Sequence, residues 1–155
     1  MTPEFKDRRI VVCDCDRTVL ELLQIRLDLA GCHTMVARTG VAALETIRNM
    51  RPHALLLELN LPEMDGFEVL RTLNPRGEGI AFPVLVMGKK LSPADIQRAV
   101  GLGARDVLIK PFGGADVLER VGRQFRRATT PGRSPGLVAP PARPASASAV
   151  SMPPP

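Results

Sequence analysis

The chain has no tryptophan, no tyrosine and only five phenylalanines in 155 residues. The flat platforms on which single-stranded nucleic acid stacks are therefore largely missing. No apolar run approaches the roughly 18 residues that a membrane-spanning helix requires, and Met1 to Arg9 is too polar for a secretory signal. The expectation is a cytoplasmic protein with no membrane contact. Cysteine is scarce: Cys13, Cys15 and Cys32 form an odd set without a secretory signal, which argues for free thiols rather than a disulfide framework. The formal net charge of +5 invites a nucleic-acid partner. Its excess, however, sits late in the chain, in Arg120, Arg123, Arg126, Arg127, Arg133 and Arg143, with no helix-turn-helix or zinc-finger pattern beside it. A solvated helix face is the plainer explanation, and nucleic acid is not the expected partner.

What is present divides near residue 128. From Ala128 to Pro155 the composition turns to Pro, Ala and Ser, with eight of the fifteen prolines. So few bulky apolar residues cannot offset the entropy of ordering, and residues 128–155 read as a disordered tail. As a Pro-rich arm it could also serve as a polyproline ligand. Residues 8–127 carry the domain.

Within that domain short apolar runs alternate with helical patterns, the rhythm of a parallel sheet wrapped by helices. Ile10 to Cys13, Cys32 to Ala37, Ala54 to Leu57, Pro83 to Met87 and Asp106 to Ile109 read as strands. Between the first two, Val19, Leu20, Leu23, Leu27 and Ala30 recur at helical spacing until Gly31. Val41 to Met50 repeats likewise before Arg51-Pro52, and Phe67 to Leu73 makes a shorter helix. Ser92-Pro93-Ala94-Asp95 has the form of a helix start, with a capping serine and proline at the first position. Val117, Leu118, Val121 and Phe125 mark the stripe of a last helix. Five such units predict an α/β, flavodoxin-like doubly wound sheet of five parallel strands in the order 2-1-3-4-5, with its site beyond the strand carboxyl ends. There Asp14-Cys15-Asp16, Glu58 and Lys110-Pro111 converge, placing acids opposite a lysine in a cleft.

The run Leu55-Leu56-Leu57-Glu58-Leu59-Asn60-Leu61-Pro62-Glu63-Met64-Asp65-Gly66, with Asp14 before it and Lys110-Pro111 after it, resembles the receiver domain of bacterial two-component response regulators. The resemblance covers roughly Arg8 to Arg127. It implies an acidic pair and an acceptor aspartate that bind Mg²⁺, a Thr or Ser that senses the phosphoryl group, and a lysine that neutralises it. Asp14 falls on the first acid, but Cys15 falls on the second, where a soft thiol replaces a hard ligand. Glu58 falls on the acceptor, Asn60 on the residue whose carbonyl would complete the Mg²⁺ site, and Gly88 on the sensing hydroxyl. Val107 stands where an aromatic switch residue is usual. Lys110 and Pro111 are kept, and their peptide bond resembles one that is cis in the family. The pattern implies a pseudoreceiver that is not an enzyme and takes up no phosphate. No cofactor is implied beyond weak Mg²⁺ at a vestigial Asp14, Glu58 and Asn60 site, and Glu58 is expected to pair with Lys110.

Plainer readings stand beside these. A glutamate at a strand end is ordinarily a solvated acid, and whether Glu58 imitates a phosphorylated aspartate is left open. Cys13 and Cys32 suit a core, His33 and His53 suit structural roles, and a redox or Zn²⁺ role for Cys15 lacks further ligands. If chemistry is lost, function falls to surfaces. The face of the fourth helix, fifth strand and fifth helix is expected to expose Gln97, Arg98, Arg105, Arg120 and Arg123, and Val107, Arg120 and Arg123 are candidate interaction residues there. On the first helix Leu22, Ile25 and Leu29 form a row that is either a wider buried stripe or an interface. The function implied is a stand-alone atypical response regulator that binds a protein, such as a histidine kinase, another two-component protein or a second copy of itself. Competing readings are a receiver still phosphorylated on another acid, and a DNA-binding regulator without its output domain.

Overall fold

A computed structural model describes residues 4–128. The expected tail from residue 129 onward lies outside the described residues. Five strands, β1 (Arg9–Cys13), β2 (His33–Ala37), β3 (Ala54–Glu58), β4 (Val84–Gly88) and β5 (Asp106–Ile109), alternate with five helices. The helices are α1 (Arg17–Ala30), α2 (Gly40–Met50), α3 (Gly66–Leu73), α4 (Pro93–Gly101) and α5 (Gly114–Ala128). The sheet is parallel throughout, in the order β2-β1-β3-β4-β5 that was expected.

Apart from Arg9 at the start of β1 and Glu58 at the end of β3, the central strands carry no charged or polar side chains, because both faces are covered. Ile10, Val12, Leu56, Leu85 and Met87 pack with Leu20, Leu23 and Leu27 of α1 and with Val117, Val121 and Phe125 of α5. Their strand neighbours Val11, Cys13, Leu55, Leu57, Val84 and Val86 point the other way, onto Ala43, Ile47, Val69, Leu70 and Ala99 of α2, α3 and α4. A shift of one residue in any central strand would exchange these two sets, so the side-chain pattern fixes the register.

Element ends follow local chemistry. Asp16, Thr39, Asp65 and Ser92 each cap a helix by accepting a backbone N–H. Ser92 does so in a reciprocal capping box with Asp95, and Asp65 in another with Glu68. Strand limits differ by a residue from those expected: β2 begins at His33, β3 runs on to Glu58, and β4 is displaced to Val84–Gly88. The extra residue in β3 carries the site acid into the ladder, where Glu58 pairs with Met87 and the Leu59 N–H donates to the Met87 carbonyl at 3.0 Å.

The domain also begins earlier than Arg8. Phe5 is only 3% exposed and stands edge-on to Phe125, with ring centroids 5.7 Å apart. The Arg8 guanidinium lies 4.7 Å from the centroid of the same Phe125 ring, and Arg126 bonds Glu4 at 2.8 Å. A lone aromatic in a polar stretch has no periodicity to mark it as core, which is why the pattern missed it. Replacing Phe5 by Ala removes a buried ring and should lower the unfolding free energy by about 3 kcal/mol. Urea denaturation followed by far-ultraviolet circular dichroism measures this; an unchanged midpoint would place Phe5 outside the domain.

Candidate functional site

An open cleft of about 600 Å³ lies beyond the carboxyl ends of β1, β3, β4 and β5, and Asp14, Cys15, Glu58, Asn60, Gly88 and Lys110 all line it. The sheet places them there without help from one another. Asp14 follows β1, Glu58 and Gly88 end β3 and β4, and Lys110 follows β5. The Lys110 backbone N–H donates to the Gly88 carbonyl at 2.8 Å, which fixes the root of the lysine at the sheet edge. The Lys110-Pro111 bond is cis, as the resemblance implied. Beneath the loop after β3, Gly66 is required by close approach: a Cβ there would lie 2.7 Å from both the Glu58 carbonyl oxygen and the Leu59 Cα.

At the centre, the Lys110 Nζ donates to Asp14 Oδ2 and to Glu58 Oε1, each at 2.5 Å. The expected Glu58-Lys110 pair is therefore present, and Asp14 shares the same ammonium, which pairwise reasoning had not foreseen. The other two oxygens are also engaged: Asp14 Oδ1 accepts the Asp16 N–H at 3.0 Å, and Glu58 Oε2 accepts the Asn60 N–H at 2.9 Å. All three side chains are buried, at 8% exposure for Lys110, 1% for Asp14 and 6% for Glu58. Burial disfavours the ammonium, but its hydrogen bonds to Asp14 and Glu58, together with their charges, prevail and hold Lys110 above the usual lysine range.

Mg²⁺, which the resemblance implied, calls for hard oxygen ligands in near-octahedral array. Here each carboxylate oxygen already has a donor, an ammonium bridges the two acids, and the third side chain of the set is the exposed thiol of Cys15. The residues present do not fit that ion. Cys13 is a separate case, turned into the core, with its thiol pushed up to about 12 by burial and then by the nearby Asp14. Burial likewise pushes Cys32 up to about 11.

The position of the sensing hydroxyl is closed from the opposite side. A Cβ on Gly88 would come within 2.5 Å of a Leu91 methyl, so Leu91 occupies the space into which a Ser or Thr side chain would extend. Leu91, Lys89 and Lys90 all line the cleft and were not singled out from the sequence. Their place directly after β4, on the same sheet edge as Lys110, was the available signal for the lysines; nothing in the sequence marked Leu91.

The surface residues divide. Leu22, Ile25 and Leu29 are exposed by 41%, 58% and 72%, so the row on α1 is not a wider buried stripe. Gln97, Arg98 and Arg123 are exposed, although Arg98 stacks on Phe67 at 4.0 Å from the ring centroid. Arg105 and Arg120, expected to be exposed, are half-buried. Arg120 turns inward because Asp106 Oδ1 and the Val107 carbonyl accept from its Nη1 at 2.6 and 2.9 Å. Val107 is half-buried and packs against the α2, α3 and α4 side of the core. His33 is exposed beside Asp7, whereas His53 accepts the Arg9 N–H at Nδ1 and is lowered by burial and then by Arg9 and Arg8, in keeping with structural roles.

The Lys110 bridge has a pH signature. Because its folded value lies above the unfolded one of about 10.4, the stability it contributes is complete below that pH and is lost as pH rises through the folded value. Lys110→Met leaves two buried carboxylates uncompensated and should cost about 3–5 kcal/mol at neutral pH. In urea titrations the gap between wild type and variant should stay flat up to about pH 10 and narrow above it; a gap that is constant into the alkaline range would refute the assignment.

Residues 10–122 match the response regulator receiver domain family. The response regulator MprA of Mycobacterium sp. (strain KMS) is 38% identical over 127 residues, covering 82% of this chain and 54% of that protein. MprA of Mycobacterium tuberculosis (strain ATCC 25618 / H37Rv) is 40% identical over 119 residues, covering 77% and 51%. The chain thus spans about half the length of these relatives. Among solved structures, the BeF3-activated N-terminal receiver domain of Klebsiella pneumoniae RstA superposes with a TM-score of 0.68 at 26% identity, over 76% of this chain and 98% of that one. Chemotaxis response regulator CheY4 of Vibrio cholerae shares the fold, with a TM-score of 0.70 at 24% identity over 76% and 98%. With the strand order, the cleft and the match over 10–122 in agreement, the chain belongs to the response regulator receiver domain family of two-component signalling.

Proposed function

We propose that this receiver domain acts in two-component signalling by binding a protein partner, without accepting a phosphoryl group and without catalysis of its own. The observation that carries this is the closed set of polar contacts at the cleft centre. Glu58 stands at the end of β3 with both oxygens engaged, one of them by the lysine that would otherwise meet an incoming phosphoryl oxygen. An attacking carboxylate must be free to approach phosphorus in line. Glu58 would have to give up a buried ion pair to do so. A side chain one methylene longer than Asp also fills part of the space a phosphoryl group needs. Gly88 has no hydroxyl to respond, Leu91 lies in its place, and Val107 has no ring to turn inward. The resulting pseudoreceiver holds one arrangement and needs no bound cofactor.

Recognition then rests on the outside of the fold, and α1 is the face we assign to it. Leu22, Ile25 and Leu29 lie at helical spacing on the side away from the buried Leu20, Leu23 and Leu27. Such a row matches the groove between two helices of a partner, the mode by which an amphipathic helix docks. A histidine kinase or another two-component protein is the class of partner proposed, in the cytoplasm. No described helix is long and apolar enough to cross a membrane.

Two experiments bear on the two halves of this reading. Incubated with acetyl phosphate and Mg²⁺, the protein should gain no hydroxylamine-sensitive phosphate and show no beryllofluoride-dependent change in its amide spectrum; phosphate incorporation on any acid would end the proposal. Leu22→Lys with Ile25→Lys should abolish capture of the partner from the source cells. Each exposed substitution should shift stability by no more than about 0.5 kcal/mol, and retention of the partner by the folded double variant would exclude the α1 face.

A further inference from the structure

We propose that the open edge of β2 pairs antiparallel with β2 of a second copy of this chain, about a two-fold axis through Met35, joining two sheets into one. Among the described residues β2 ends the sheet, with β1 as its neighbour on one side only. Native sheets commonly protect such an edge with lysine or proline, and His33-Thr34-Met35-Val36-Ala37 contains neither. Met35 is 49% exposed and Val36 39%.

The backbone groups select the register. The His33 N–H donates to the Arg8 carbonyl at 2.7 Å, and the Ala37 carbonyl accepts the Asp14 N–H at 3.1 Å, so the odd-numbered residues of β2 turn their polar groups toward β1. By alternation the N–H and C=O of Thr34 and Val36 face outward. An axis through Met35 sets Thr34 opposite the second copy's Val36, and the reverse, each pair exchanging both its N–H···O bonds. Thr34 and Val36 are level with Ile10 and Val12 and so lie on the α1 face, where each valine packs on the other copy's threonine. Met35 meets its counterpart on the opposite face.

Charge agrees with the same axis. Cys32, whose thiol is raised by burial and then by Asp28, stands just before β2, so the flank of α1 carrying Asp28 lies over this edge. Arg26, on the other flank, lies against Gly114 of α5. Arg38, just after β2, donates to the Cys15 carbonyl, and neither it nor Asp28 makes an ion pair among the described residues. The register places Arg38 opposite the second copy's Cys32, and hence beside its Asp28. Leu22, Ile25 and Leu29 face away from the sheet, so the pairing leaves the α1 row open.

Sedimentation equilibrium of the full chain, with hydrogen exchange read at single amides, tests this. Wild type should dimerise, and where it does so the Thr34 and Val36 amides should exchange at least about tenfold more slowly than in dilute samples. Arg38→Asp and Asp28→Arg should each raise the dimer dissociation constant at least about tenfold, and the two together should recover it. Met35→Lys, at an exposed site, should give a folded monomer. Leu22→Lys with Ile25→Lys should dimerise as wild type does, which separates this edge from the partner-binding face. A wild-type chain that stays monomeric up to about 1 mM overturns the proposal, as does a dimer that Met35→Lys leaves intact or one whose Thr34 and Val36 amides gain no protection.

Discussion

One lysine held between two buried carboxylates organises the functional edge of this domain. Lys110 reaches it from β5, Asp14 from β1 and Glu58 from β3, so a single ammonium ties together three strands that the sequence separates by 52 and 96 residues. Neither acid alone would need the lysine so closely. Together, drained of solvent, they require it, and the two backbone N–H donors on their outer oxygens complete the set. The same contacts reach into the adjoining loops, since Asp16, whose N–H meets Asp14, also caps α1, and Asn60, whose N–H meets Glu58, lies in the loop after β3.

That closed arrangement is made by side chains at the rim of the sheet, not by its core. The sheet order and the match over residues 10–122 are those of the receiver domain family. What differs lies in a few side chains: a thiol at 15, a longer acid at 58, a missing hydroxyl at 88 and an aliphatic at 107. The apolar packing of the sheet on its two layers of helices lies beneath the polar residues at its rim, so the same shape can carry different side chains there.

Much of this was legible in the sequence, for physical reasons that also explain the rest. Strands buried on both faces read as unbroken apolar runs, and a helix start was visible in Ser92-Pro93, so the strands fell within a residue or so of their places. The convergence of Asp14, Glu58 and Lys110 followed from strand order alone. The sharing of one ammonium by both acids did not, because hydrogen-bond geometry depends on side-chain rotamers that spacing cannot supply. Phe5 was missed because a tertiary contact with Phe125 buries it, and Arg120 was misplaced because Asp106, on the preceding strand, draws it inward. The exposure of Leu22, Ile25 and Leu29 needed the helix to be docked before the two readings of that row could part.

The Leu91 side chain lies against Gly88, so the two positions are coupled by contact. A side chain added at position 88 would meet the flexible end of Leu91, which would have to turn aside to admit it. Substitutions at 88 and 91 are therefore expected to be non-additive, each setting the room open to the other.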